Sequence, residues 1–258
     1  MEISLASEKI GHLGPIPIDN SLTMSWIAIV VLVVLSYFAA RKLKKVPTGI
    51  QNVFEFIIEG LFGMVDSIFN NREQSKKYFP FLATIFLFIV TNNWLGILPG
   101  VGSIGFHEGA KFIPIFRSGN ADLNTTIALA ALTMILVQVY GIKALSAKEY
   151  AGKFFNKNPV LLFVGMLELF SEFSKIISFS FRLFGNIFAG EVLLAVMTML
   201  LPYVGPIPFY MLELFVGFIQ ALVFMMLASV FIKLAITSHE HHEESHNEPA
   251  LAQAPQLT

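Results

Sequence analysis

An ionisable side chain at the centre of a membrane helix costs roughly 2.5–3.5 kcal/mol, so each one found in a long apolar run needs a reason. In this chain most of them collect between Val160 and Thr237. Glu168, Glu172, Lys175, Arg182 and Asn186 follow one another at helical spacings that place them along one stripe, with Ser171, Ser174 and Ser178 forming a second stripe beside it. Glu168, Glu172 and Lys175 stand near one end of their helix, where pairing at i,i+3 and i,i+4 or snorkelling to the interface would satisfy them without any function. Arg182 has neither resort, because it lies deep between the helix ends and no acid sits within a turn of it. A permanent guanidinium at that depth can stabilise the ionised carboxylate of a partner or hold an anionic substrate.

Glu191 follows Arg182 by nine residues, which on a helix is about 180° around the axis and ~13.5 Å along it, so the two side chains point apart. Glu213 and Gln220 lie on one face of the next apolar run. If the two runs form an antiparallel pair, one register sets Glu191 level with Glu213 and Arg182 level with Gln220. The expectation is two layers, one of two carboxyls and one of a cation with an amide. A carboxyl pair suits a relay that must accept and release protons, while anchoring of Glu213 at the interface just after the turn is the alternative.

The elements that position these groups are membrane helices. Of 258 residues, 55% are hydrophobic and 14% charged, well below the roughly 25% charged residues of a soluble domain. With 17 basic and 18 acidic residues there is no basic field for nucleic acid. Cysteine is absent, which removes disulfides and thiolate chemistry, and no glycine-rich phosphate loop is present, so neither nucleotide chemistry nor a cofactor is expected here. The first twenty residues mix Glu2, Glu8, Lys9 and Asp19 with two prolines, unlike a cleavable signal peptide, and read as retained.

Hydropathy predicts an all-α integral membrane protein with five spans, at 22–40, 78–98, 124–142, 160–201 and 209–237, in a single membrane domain over 22–237. Residues 49–70 place Val53, Phe54, Ile57, Ile58, Leu61, Val65 and Ile68 at helical spacing with Glu55, Glu59 and Asp66 elsewhere, the pattern of an amphipathic helix at the membrane surface. The basic groups Arg41, Lys42, Lys44, Lys45 and Lys143, Lys148, Lys153, Lys157 should be cytoplasmic, which puts segment 1–21 outside. Val160 to Leu201 contains no proline and, as one helix, would extend roughly 63 Å, twice the hydrocarbon thickness. A tilted hairpin of two overlong helices, turning at Pro202 to Pro208, is therefore expected. The tail 238–258 sets His239, His241, His242 and His246 among four glutamates, and its composition is that of a flexible cytoplasmic end rather than a metal cage.

The run Ser178-Phe179-Ser180-Phe181-Arg182-Leu183-Phe184-Gly185-Asn186-Ile187-Phe188-Ala189-Gly190-Glu191 closely resembles the signature of the ATP synthase subunit a family. Asp122-Leu123-Asn124-Thr125-Thr126 resembles the entry of that family's third span, Asn93 to Pro99 the exit of its second, and Ile219-Gln220-Ala221 its last helix. The resemblance implies a non-catalytic, stationary proton-channel subunit beside a rotating c-ring whose subunits each carry a buried carboxylate. It further implies that Arg182 faces that ring, that Glu191 and Glu213 line the outer access path, and that Gln220 and Asn186 sit near the arginine. A peripheral-stalk b subunit, the F1 sector and membrane lipids would be its partners, and the cytoplasmic membrane of a bacterium its location. Two departures stand out: Ile176 follows Lys175 where many members have proline, and Glu213 stands where some have histidine.

A sodium-translocating version of the same subunit fits these residues too. An unrelated secondary transporter or ion channel could use Arg182 to hold an anion at midplane, but the paired repeats common in such proteins are not visible. A purely structural membrane scaffold would leave Arg182 and Glu191 without a role.

Overall fold

The computed structural model describes residues 7–13, 16–40, 49–98, 100–101, 104–108, 111–145, 150, 152 and 159–237. Arg41 to Lys45, Pro99, Lys148, Lys153, Lys157 and the histidine-bearing tail lie outside the described residues.

Apolar runs with no proline beyond the first few turns fold into helices α1 (Asn20–Ala40), α2 (Ile50–Phe69), α3 (Arg72–Ile97), α4 (Leu123–Leu145), α5 (Pro159–Leu200) and α6 (Pro206–Ile236). All but α2 are long and apolar enough to cross a membrane, and successive ones alternate in direction. Helix α3 begins before the apolar run expected from Tyr78, because the Asn71 side chain caps it by accepting from the amides of Glu73 and Gln74 at 3.0 and 3.3 Å. Helix α6 opens on Pro206, where a missing amide hydrogen is harmless. Hydropathy gave no sign of strands, yet two antiparallel hairpins occur: β1 (Lys9–Leu13) with β2 (Ile16–Asp19), and β3 (Gly105–Glu108) with β4 (Lys111–Pro114). Both precede a helix at the end of the bundle where α5 turns into α6, called here the turn end.

Helices α3 and α6 form the centre. Leu82, Phe86 and Ile89 of α3 meet Phe224, Met225, Ala228 and Ile232 of α6, all buried. Around them pack Ala130 and Val137 of α4 and Phe179 and Leu183 of α5. Hydroxyls of Thr126 and Ser180 pair across α4 and α5 at 3.1 Å, the polar contact expected where no water competes. Helix α2 covers the other end of the bundle, burying Leu61, Val65 and Phe69, and its Ile68 carbonyl accepts from Lys233 at 2.6 Å. Of the expected apolar face, Val53, Ile57 and Ile58 remain exposed among the described residues.

Close helix approach depends on small residues. At Gly141 on α4, a methyl group would come within 2.6 Å of the Tyr150 ring and 3.0 Å of the Ala235 carbonyl, whereas at Gly63 on α2 it would meet nothing. Gly141→Ala is therefore expected to destabilise the protein by about 1–3 kcal/mol through overpacking. Gly63→Ala should stabilise it by up to about 1 kcal/mol through helix propensity. Unfolding midpoints of the two variants measured in one detergent check both signs, and equal shifts would refute the packing argument.

Candidate functional site

Helix α5 presents two different faces. On the first, Ser174, Ile177, Ser178, Phe181, Arg182, Gly185, Asn186 and Ala189 are all exposed. Their spacing is that of a single helix side. Arg182 stands near the middle of the helix, and among the described residues it makes no hydrogen bond or ion pair. Small residues flank it, and a methyl group at Gly185 would meet nothing. The result is a shallow apolar strip with one fixed positive charge.

Half a turn further round and two and a half turns along, Glu191 faces inward. It shares a cavity of about 20 Å³ with Glu213 of α6, bounded by Gly96 and Ile97 of α3, Ser118, and Ile187 and Leu194 of α5 itself. That volume suits a single water. Glu213 is buried, and its Oε1 has no hydrogen-bond partner. It fits because Gly190 has no side chain: a methyl group there would overlap the Glu213 carboxyl. Glu191 is met from outside the hairpin, since Nε of Arg117 donates to its Oε2 at 3.3 Å.

The exit of α3 holds this part of α6 in place. Asn93 donates to the Gly217 carbonyl at 2.9 Å, and the indole of Trp94 donates to the Leu214 carbonyl at 3.1 Å. A 3₁₀ turn at Gly119–Ala121 closes over them. Within it Asn120 donates to Asn93 at 2.6 Å, and Ser118 just before it donates to the Asn92 carbonyl at 3.4 Å. Asp122 then caps α4, accepting from the Asn124 amide at 3.2 Å, and ties in α1 through the Ser21 hydroxyl at 3.1 Å.

Of the residues singled out by sequence, Glu191 and Glu213 meet at one cavity, at the level the antiparallel register requires. Asn186 and Gln220 also meet, Nδ2 donating to Oε1 at 2.5 Å, with Gln220 buried and its Nε2 unpartnered. Arg182 is not joined to them by any hydrogen bond. It points from the same stretch of α5 toward the open side. Nearer the α2 end, Glu172 takes two contacts: Gln138 of α4 donates at 2.7 Å and Lys175 at 2.5 Å. The Tyr150 hydroxyl in turn donates to the Gln138 Oε1. Burial first, then the charges of Glu172 and Glu168, push the Tyr150 phenol up to about 12, so it remains a donor throughout the neutral range.

Arg117, Asn93, Ser118, Gly190 and Gly96 were not singled out for the site by the sequence. Arg117 had one available signal, as a lone cation within the otherwise uncharged stretch Phe112 to Ala121. Nothing in the spacing of one chain connects it to Glu191, 74 residues away.

Comparison with known proteins shows the family. The family model described as ATP synthase A chain matches residues 22–233, a range that reaches into all five apolar helices and holds each residue of the site. The chain is also similar to the ATP synthase subunit a of Moorella thermoacetica, at 33% identity over 231 residues, covering 90% of this chain and 97% of that one. A membrane bundle whose polar residues converge as described, matched over this range and at this identity, belongs to the ATP synthase A chain family.

Proposed function

We propose that this chain is the stationary proton-conducting subunit of the membrane sector, standing beside a rotating c-ring and feeding its carboxylates through two half-channels. The observation that carries the reading is the pair of opposed faces on α5. Arg182 lies alone on a strip of small and apolar residues, while Glu191 and Glu213 enclose a water-sized cavity on the far side. A ring helix seated on the strip would bring its carboxylate to the guanidinium. There the ionised form is favoured, so a proton must leave before the carboxylate passes. Arg182 thereby separates the two half-channels, and ions complete the crossing by riding the ring.

Glu191 and Glu213 belong to the outer half-channel in this reading. The unpartnered Oε1 of Glu213 and the room for one water between the carboxyls supply what a proton needs to step inward. Asn186 and Gln220 lie next along the path, one turn from Arg182. The α5–α6 hairpin, too long to stand upright, slants across the bilayer and lengthens the face offered to the ring. Helix α2 lies at the cytoplasmic surface with Val53, Phe56 and Ile57 against lipid. The turn end is extracytoplasmic and the membrane is the cytoplasmic membrane of a bacterium. The b subunit of the peripheral stalk and, through it, F1 complete the partners.

Three outcomes test the assignment. Arg182→Ala should abolish proton-driven ATP synthesis in reconstituted vesicles while leaving or opening a passive proton leak once F1 is stripped. Synthesis near the wild-type rate would remove the central residue from the mechanism. Glu191→Leu and Glu213→Leu should each slow synthesis, and the double variant should lose less than the sum of the two because both serve one path. Fully additive losses would mean separate paths. For orientation, a cysteine replacing the exposed Lys143 should react with an impermeant thiol reagent from the cytoplasmic side only, and labelling from outside would invert the bundle.

A further inference from the structure

We propose that Arg117 is the specificity-determining residue of the outer path, a built-in cation that fills the place beside Glu191 which a sodium or potassium ion would otherwise take. The inference rests on the outer half-channel assigned above. Its ground is the contact itself: the Arg117 side chain is 11% exposed and reaches Glu191 at 3.3 Å from a segment belonging to neither helix of the hairpin.

Without Arg117 the cavity would present two carboxyl groups, one with an unpartnered oxygen, together with the Ser118 hydroxyl. Such hard oxygen donors suit a small cation. Among the described residues no second cation lines the cavity: α3 contributes Gly96 and Ile97, α5 contributes Ile187 and Leu194, and α6 contributes the carboxyl of Glu213. With the guanidinium in place the Glu191 charge is already met, and an entering cation confronts a like charge within a few ångströms in a site largely closed to water. A proton avoids this obstacle. It arrives by exchange of O–H bonds: one breaks on a protonated water, leaving its electron pair there, and one forms on a carboxylate oxygen. No coordination shell and no space beyond one water are required.

A simple latch holding the outer segment would also explain an ion pair. That segment, however, is already fastened without it. Asn120 donates to Asn93 and to the Ile89 carbonyl, Ser118 donates to the Asn92 carbonyl, and Gly119 is packed so closely on Ser25 and Asn92 that no side chain would fit.

The experiment uses the whole complex in proteoliposomes. ATP synthesis driven by an imposed proton gradient is measured in sodium-free medium and at high sodium, with choline as the replacing cation. Wild type and Arg117→Lys should be indifferent to sodium. Arg117→Gln should be inhibited at least about tenfold more by sodium than by choline, and adding Glu191→Gln to it should remove that sensitivity by abolishing the bare carboxylate. An Arg117→Gln rate that is unchanged, or that falls equally in both salts, overturns the proposal. So does an Arg117→Gln complex that fails to assemble, because the other anchors would then not suffice and the pair would be the latch. A wild-type enzyme that requires sodium would instead overturn the proton reading of the function, an outcome distinct from each of these.

Discussion

An ionised side chain surrounded by hydrocarbon is several kcal/mol out of balance until something meets it, and the arrangement of the hairpin follows from how each such group is met. Glu172 is met by Lys175 and Gln138, and Glu191 by Arg117. Glu213 is buried against the backbone at Gly190, facing a cavity with room for one water. Arg182 is met differently. It is exposed on the long helix with no partner among the described residues. An arginine left open in this way is available to a partner outside the chain, and the ATP synthase A chain family is one whose very name places it in a larger assembly.

Meeting charges inside a bundle requires room for polar groups without loss of packing, and glycine and asparagine provide it together. Gly190 admits the Glu213 carboxyl, Gly217 lies against Asn93, and Gly96 lies against Ser118. The amides of Asn93 and Asn120 then occupy carbonyls of α6 and α3 that already serve their own helices. Such contacts fix the height of α6 relative to α3. Because Glu213 rides on α6, the position of the carboxyl pair is set by hydrogen bonds two turns or less away, not by the apolar contacts of the centre.

Much of this was legible from the chain alone, and the boundary is physical. Helix existence follows from apolar length, so the spans and the overlong α5 could be read directly. Depth also follows, since within one hairpin an antiparallel register fixes which residues are level. Glu191 was level with Glu213 in one such register, with anchoring of Glu213 at the interface as the alternative. What could not be read is contact across long sequence separation. Arg117 lies in a loop whose path depends on Ser118, Gly119 and Asn120 docking on α1 and α3. Hydropathy is likewise silent on the two hairpins at the turn end, because strands this short carry no periodic signal above their flanks. The amide pair is an intermediate case: level placement brought Gln220 to the right height, but helix rotation gave it to Asn186 instead of Arg182.

Rotation also explains why one helix can serve both half-channels of the proposed mechanism. Nine residues separate Arg182 from Glu191, which fixes them on opposite sides of a rod and ~13.5 Å apart along it. No side-chain motion can bring them together. A proton on the cavity side therefore has no direct route through α5 to the guanidinium side. In the proposed mechanism it passes around the helix by way of the Asn186–Gln220 contact, where the two helices touch and an unpartnered amide group of Gln220 remains buried. The separation of the paths thus depends on helix geometry as much as on charge. A flexible loop carrying the same residues would let the carboxylate reach the guanidinium, and the two charges would cancel each other instead of acting on a partner.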